Sequence, residues 1–297
     1  MTSLEENKIA TAEVENWWNK NPFTLGIVKN GDLVGRVDPG EMDLKYFEEV
    51  DRKFRKFHRT GCQEDNAPLL SKLINYDNIR EKKVLDIAVG TGVTLVAFAT
   101  AGAEVTGIDI TDFAVMQTKK NLACRGLAAD VIKMDAQRMS FPDESFDFVN
   151  AWGCLMHMPD TEKAICEIYR VLKPDGKVLA YMYNKSSWVF WFNFIFLRGI
   201  LLGKLIKYRF DIDKLTSRYT DGAALGGNML AKLYTPKQAA NLFKKAGFNN
   251  VKSFPLVLPH EPDEWPMRKF PIFKFLPYKI KIWLAHYGLG LIVVGEK

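Results

Sequence analysis

Residues 84–95 read V-L-D-I-A-V-G-T-G-V-T-L, an apolar run that breaks at a glycine turn and resumes as apolar residues. Val84–Ile87 has the length and branching of a buried strand, and Val93–Ala101, stopped by Gly102, that of a helix. Glycines between a strand and a helix let the backbone approach a ligand closely. Outward from this turn the rhythm repeats. Glu104–Ile108 is a second strand closed by Asp109, and Thr111 or Asp112 caps a helix that reaches Arg125 and stops at Gly126. Val131–Met134 makes a third strand and Phe146–Ala151 a fourth, after the turn Phe141-Pro142-Asp143-Glu144-Ser145. Asp160 caps a helix with Ala164, Ile165, Ile168, Val171 and Leu172 on its apolar face. Lys173-Pro174-Asp175-Gly176 is a stop-and-turn signal, and Val178–Tyr183 is the fifth strand. Strands alternating with helices at this spacing predict βαβ units around a parallel sheet.

The flanks are different. Before residue 80 the chain reads as helices and loops: a short helix around Ala12–Asn19, a longer one from about Asp43 to His58, and another short one over Pro68–Asn75. The longer helix carries Leu44, Phe47, Val50, Phe54 and Phe57 at three- and four-residue spacing. After the fifth strand the rhythm stops over residues 185–233, longer than an ordinary strand-to-helix loop. It resumes at Thr235-Pro236-Lys237-Gln238, with a capping Thr, Pro at the first helical position and Gln at the capping-box position. Val251–Leu258 is a sixth strand and Gly290–Val294 a last one. The organisation expected is an N-terminal helical cap (1–80), a ligand-binding core (81–184), a lid insertion (185–233) and a C-terminal part of the core (234–297) with a second insertion at 259–287.

Composition narrows the classes. The 297 residues are 47% hydrophobic and 26% charged, ordinary for a chain with a substantial core. Forty-one Lys and Arg against thirty-five Asp and Glu give a net charge of +6, too modest by itself to imply nucleic acid. Cys62, Cys124, Cys154 and Cys166 show no paired spacing and suit a reducing compartment. His58, His157, His260 and His286 form no ligand pattern, so no metal is expected. The N-terminal M-T-S-L-E-E-N-K is acidic and lacks the apolar run of a signal peptide, which makes the cytoplasm the expected location.

Which ligand does the glycine turn approach? A dinucleotide fingerprint requires a third glycine three residues past Gly92, where Leu95 stands, and there is no G-K-[ST] of a phosphate-binding loop. Asp86 puts a carboxylate beside the turn, which repels a pyrophosphate and suits a cationic or zwitterionic ligand. D-I-A-V-G-T-G resembles the first motif of the class I S-adenosylmethionine-dependent methyltransferases, usually V-L-D-x-G-x-G-x-G, with Ala88 in place of the first glycine. Later residues resemble the family's other motifs in order. V-T-G-I-D-I places Asp109, followed by Ile110, at the tip of the second strand for the ribose hydroxyls. Asp135 with Ala136 matches the adenine-contacting pair, and N-A-W-G, with Asn150 and Ala151, matches the fourth motif at the methionine end. E-I-Y-R-V-L-K-P-D-G-K-V-L is similar to the helix and strand that follow. The resemblance, nearest to the ubiquinone and menaquinone methyltransferase type, spans roughly residues 80–183 and more weakly 234–258. It implies a Rossmann-like sheet of seven strands with the last antiparallel, S-adenosyl-L-methionine as cofactor, and cofactor contacts from Asp86, Ala88, Gly90, Gly92, Asp109, Ile110, Asp135, Ala136, Asn150 and Ala151.

Methyl transfer requires alignment, exclusion of water and, for some acceptors, removal of a proton. His157, in W-G-C-L-M-H-M-P-D just past the fourth strand, is the candidate base, with a structural role in the next helix cap as the alternative. Tyr183 and Tyr181 are weaker candidates, and Cys154 reads more readily as a small buried residue than as a ligand for a soft substrate. Nucleobase amines are disfavoured as acceptors because residues 150–153 lack the [DNS]-P-P-[YFW] pattern, so no nucleic-acid partner is expected. The aromatic, basic stretches 188–210 and 265–284 are poor membrane spans, since Arg198 and Lys204 interrupt the first. They read as a lid or as peripheral membrane contacts, and either favours a small hydrophobic or lipid-like acceptor. A sugar or other polar metabolite as acceptor, a catalytically silent cofactor-binding protein and, further off, a nicotinamide oxidoreductase are the alternatives.

Overall fold

A computed structural model describes residues 3–24, 35–57, 68–221, 227–256 and 288–297. The strands are β1 (Lys83–Ile87), β2 (Glu104–Asp109), β3 (Asp130–Lys133), β4 (Phe146–Trp152), β5 (Leu172–Asn184), β6 (Leu233–Tyr234), β7 (Asn249–Leu256) and β8 (Gly290–Glu296). They hydrogen-bond in the order β3-β2-β1-β4-β5-β8-β7, with the two-residue β6 beside the end of β5. Strands β1 to β5 run parallel, and β8 is antiparallel to both neighbours. The expected seven-stranded sheet with an antiparallel last strand is therefore present.

Alternate residues of each strand feed a core on either face. Leu85, Ile87, Ile108, Val149 and Ala180 pack against α5 (Thr161–Val171) and α8 (Pro236–Lys245). Val84, Val105 and Leu179 pack on the other face with Phe47 of α2 (Leu44–Phe57) and Phe98 of α3 (Val93–Thr100). Helix α4 (Asp112–Cys124) follows β2, capped by Thr111, and α8 carries the full capping box of Thr235 and Gln238. Chain order reverses between β1 and β4, and the crevice at such a reversal is where open parallel sheets bind ligands.

Three expectations change. Residues 68–75 are turns rather than a helix, because Leu70 is left-handed at φ 59° and its side chain is fully buried there. Helix α1 is longer than expected, Ser3–Lys20. The Lys173–Gly176 turn lies inside β5 as an irregularity: Phe146 pairs with Leu172 and Phe148 already with Lys177. The 259–287 insertion, and with it stretch 265–284, lies outside the described residues. The other insertion folds as a π-helix (Val189–Leu201), a single turn α6 (Lys204–Lys207) and α7 (Ile212–Tyr219).

Candidate active site

The turn after β1 is built by three left-handed residues, Ala88 (φ 58°), Gly90 (φ 53°) and Gly92 (φ 80°). A Cβ on Gly92 would stand 2.9 Å from Thr118 Cγ2, whereas one on Gly90 would meet nothing within 4 Å, so the turn opens to space at Gly90. Helix α3 begins directly at Gly92 with no side-chain cap, leaving first-turn N–H groups toward that opening. The close helix–sheet approach that a third glycine would supply on the helix comes instead from the strand. A Cβ on Gly107 would lie 2.2 Å from Leu95 Cδ1, so Leu95 fills the space that glycine leaves.

Asp86 is buried beneath this turn. Thr94 Oγ1 donates to its Oδ2 at 2.7 Å, and Asn150 Nδ2, on the residue paired with it in β4, donates to Oδ1 at 2.7 Å. Burial pushes its pKa up to about 6, partly offset by those two donors and reinforced by the Asp109 charge. Asn150 Oδ1 is buried with no hydrogen-bond partner among the described residues. The β4 ladder to β1 ends at Asn150 while that to β5 continues to Trp152. Ala151 therefore pairs with Ala180 of β5 and with no residue of β1.

At the tip of β2, Asp109 Oδ1 accepts from Thr111 N–H (2.9 Å) and Oγ1 (2.8 Å), and Oδ2 accepts from Gly90 N–H at 3.2 Å. Ile110 contributes a further backbone N–H, and burial outweighs these donors to raise the carboxyl pKa. After β3, Asp135 Oδ1 accepts from Gln137 N–H (2.9 Å) and Nε2 (3.0 Å), with Ala136 buried between them. Three carboxylates thus line successive strand ends, which suits a ligand carrying positive charge and many hydroxyl or amine donors, and opposes a pyrophosphate.

His157 lies in a 3-10 turn (Leu155–His157) just past β4, buried. Its Nδ1 is 2.7 Å from Leu230 O, which can only accept and so favours the proton on Nδ1, with Asn228 Nδ2 a further 3.2 Å contact there. Nε2 comes within 3.3 Å of Asp221 Oδ2 yet makes no hydrogen bond among the described residues. The same Asp221 oxygen accepts from Tyr183 Oη at 2.5 Å, and burial with that carboxylate holds the phenol well above its usual range. Trp18 of α1 and Tyr183 both meet the imidazole edge to face, at 5.3 and 5.6 Å between centroids. Trp152 stacks on Tyr181 at 4.9 Å. Lys232 clamps the loop, its N–H on Met156 O (3.0 Å) and its Nζ on Met158 O (3.0 Å) and Pro159 O (2.7 Å).

The structure thus brings His157 and Tyr183 together through Asp221, which sequence reasoning missed, along with Gln137, Trp18 and Lys232. Asp221 stands in a T-D-G stretch that follows no strand and carries no motif signal. Cys154 is buried and its thiol is pushed far up by burial, so it has no thiolate to offer a soft substrate.

Residues 85–180 match the family model of a methyltransferase domain. The chain is 28% identical over 170 residues to a demethylmenaquinone methyltransferase of Streptomyces avermitilis, covering 57% of this chain and 69% of that one. It is 29% identical over 189 residues to a sterol 24-C-methyltransferase of Neurospora crassa, covering 63% and 44%. A ubiquinone/menaquinone C-methyltransferase of Cupriavidus metallidurans is 38% identical over 112 residues, 36% of this chain and 46% of that one. The chain therefore spans less than half the length of the latter two. Among solved structures, a Methanosarcina mazei S-adenosylmethionine-dependent methyltransferase aligns with TM-score 0.50 at 21% identity, over 74% of this chain and 95% of that one. Burkholderia thailandensis 1,6-didemethyltoxoflavin-N1-methyltransferase, solved with S-adenosylhomocysteine, aligns with TM-score 0.50 at 16% identity, over 86% and 83%. These two likenesses establish the fold alone. The family match over residues 85–180, the relatives and the strand order together support a class I S-adenosylmethionine-dependent methyltransferase.

Proposed function

We propose that this protein methylates a small hydrophobic acceptor, with His157 taking up the acceptor's proton. The observation that carries the reading is the buried Nε2 of His157, which has no hydrogen bond among the described residues and stands 3.3 Å from the Asp221 carboxylate. With Nδ1–H held on Leu230 O, the basic lone pair is on Nε2, and Asp221 stabilises the imidazolium that forms when a proton arrives. When bound, S-adenosylmethionine supplies an electrophilic methyl on sulfur. Asp109, whose longest contact is that to Gly90 N–H, would hold the ribose hydroxyls. Asp86 sets a negative charge, and Asn150 Oδ1 an open acceptor, beneath the cationic end. Asp135 and Ala136 would meet the adenine. Trp18 against His157, and Trp152 stacked on Tyr181, supply aromatic surface that would favour an apolar acceptor, and the quinone and sterol methyltransferases among the relatives support the same class.

The test is transfer of tritium from methyl-labelled cofactor into prenylated quinols, sterols and, as the polar counterpart, sugars. Label should enter the organic-soluble acceptors. His157→Ala should lower turnover by about a hundredfold or more while S-adenosylhomocysteine affinity stays within about twofold. Labelling confined to sugars would contradict the acceptor class, and unchanged turnover would remove His157 from the chemistry.

A further inference from the structure

The π-helix has an inward and an outward face. Phe190, Asn193 and Phe194 are buried, while Trp191, Phe196 and Ile200 follow one another at spacings of five and four residues on the outside. That spacing belongs to a π-helix, whose bonds run from i to i+5, and it gathers these side chains into one stripe. The stripe continues through Leu201, Ile206 and Phe210, and these six apolar side chains are 50% to 73% exposed. Gly199 lets α6 join the same surface, because Leu205 packs where a Cβ on Gly199 would stand, 2.9 Å from its Cγ. At the tip, Arg209 (φ 52°) and Phe210 (φ 61°) are consecutive left-handed residues, a conformation costly for side chains with a Cβ, and it holds an apolar ring 70% exposed.

The charge on this stretch is basic, and the acidic residues Asp211 and Asp213 begin only with α7. Residues 188–210 include Arg198, Lys204, Lys207 and Arg209 and no Asp or Glu. Arg198 turns inward, its guanidinium 4.1 Å over the Tyr219 ring and donating to Asn193 Oδ1 at 3.1 Å. Lys204, Lys207 and Arg209 remain at the tip beside Ile206 and Phe210. Among the described residues no helix is long and apolar enough to cross a membrane. Exposed aromatic and aliphatic side chains fringed mainly by basic residues, on an element too short to span, are the chemistry of a segment that lies in a lipid interface. A second copy of the chain is a poor occupant, since a two-fold contact would set the three cations at the tip against their own copies.

We propose that this face docks on the surface of a bilayer containing anionic phospholipid, with the apolar stripe at acyl-chain level and Lys204, Lys207 and Arg209 on lipid phosphates. The inference stands apart from methyl transfer and is tested without turnover. Sedimentation of the full chain with phosphatidylcholine vesicles, with and without added phosphatidylglycerol, reads the partition directly. Binding is expected with phosphatidylglycerol and should weaken as salt is raised. K207Q/R209Q should weaken it about twenty-fivefold, at about fivefold per charge. I206S/F210S should reduce it to the level of phosphatidylcholine alone, and W191F should remove a blue shift of tryptophan emission seen on binding. All these variants should bind S-adenosylhomocysteine like the parent, which reports an intact fold. Absence of partition into phosphatidylglycerol vesicles, or equal partition of parent and variants, would overturn the proposal. So would a dimer in solution that I206S/F210S dissociates, because the stripe would then be covered by a second copy.

Discussion

Ala88 stands where the methyltransferase motif it resembles has glycine, and its φ of 58° is the left-handed conformation that glycine adopts most easily. The left-handed region costs an L-residue roughly 1–2 kcal/mol, part of which a glycine loses again in the unfolded chain. Ala88→Gly should therefore raise stability by about 0.5–1 kcal/mol in urea unfolding, with cofactor-product affinity unchanged. Asp86 gives a pH-dependent counterpart. Its folded pKa of about 6 lies above the unfolded value of 3.8, so its contribution to stability is full below the unfolded value and is lost as pH rises through 6. At about 1.4 kcal/mol per unit that is at most about 3 kcal/mol between pH 4 and 7. Asp86→Asn should flatten this slope, and an identical slope in both proteins would contradict the assignment. Residue identities at the strand ends were legible in the sequence because each ends an apolar run. Their state was not: burial raises the Asp86 pKa, and Thr94 and Asn150, eight and sixty-four positions away, hold the rise back.

Elements were legible where one period governs them. The βα units from β1 to β5 follow from strand-length apolar runs, and the caps at Asp160 and Thr235 form as their side chains dictate. The π-helix was not legible, because a search at 3.6 residues scatters its apolar stripe around the axis. The Pro68–Asn75 helix failed because the burial of Leu70 overrides local propensity. Gly107 shows a packing relation that a motif search misses, since it answers Leu95 from a different strand. Gly107→Ala should destabilise the fold by about 1–3 kcal/mol, and Leu95→Ala added to it should cost less than the sum of the two single changes. Strict additivity in chemical unfolding would show that the two do not share that space.

On the scale of the whole molecule, the candidate site joins parts that the chain order keeps apart. Trp18, His157, Tyr183, Asp221 and Leu230 come from the N-terminal helix, the β4 exit, the end of β5 and the lid, and no local pattern announces their meeting. If Asp221 positions and stabilises the imidazolium, Asp221→Asn should lower turnover by about ten- to a hundredfold. Affinity for S-adenosylhomocysteine should hardly move, and a loss of affinity equal to the loss of rate would make the residue structural.

The most direct test of the account is calorimetric titration of the protein and of Asp109→Ala with S-adenosylhomocysteine, and separately with NADH. The account predicts micromolar binding of S-adenosylhomocysteine, none of NADH, and a variant that stays folded but binds about ten- to a hundredfold more weakly, the cost of one lost charged hydrogen bond. Equal binding by the variant, or NADH taken in place of S-adenosylhomocysteine, would contradict the placement of the cofactor at the Gly90–Asp109 edge.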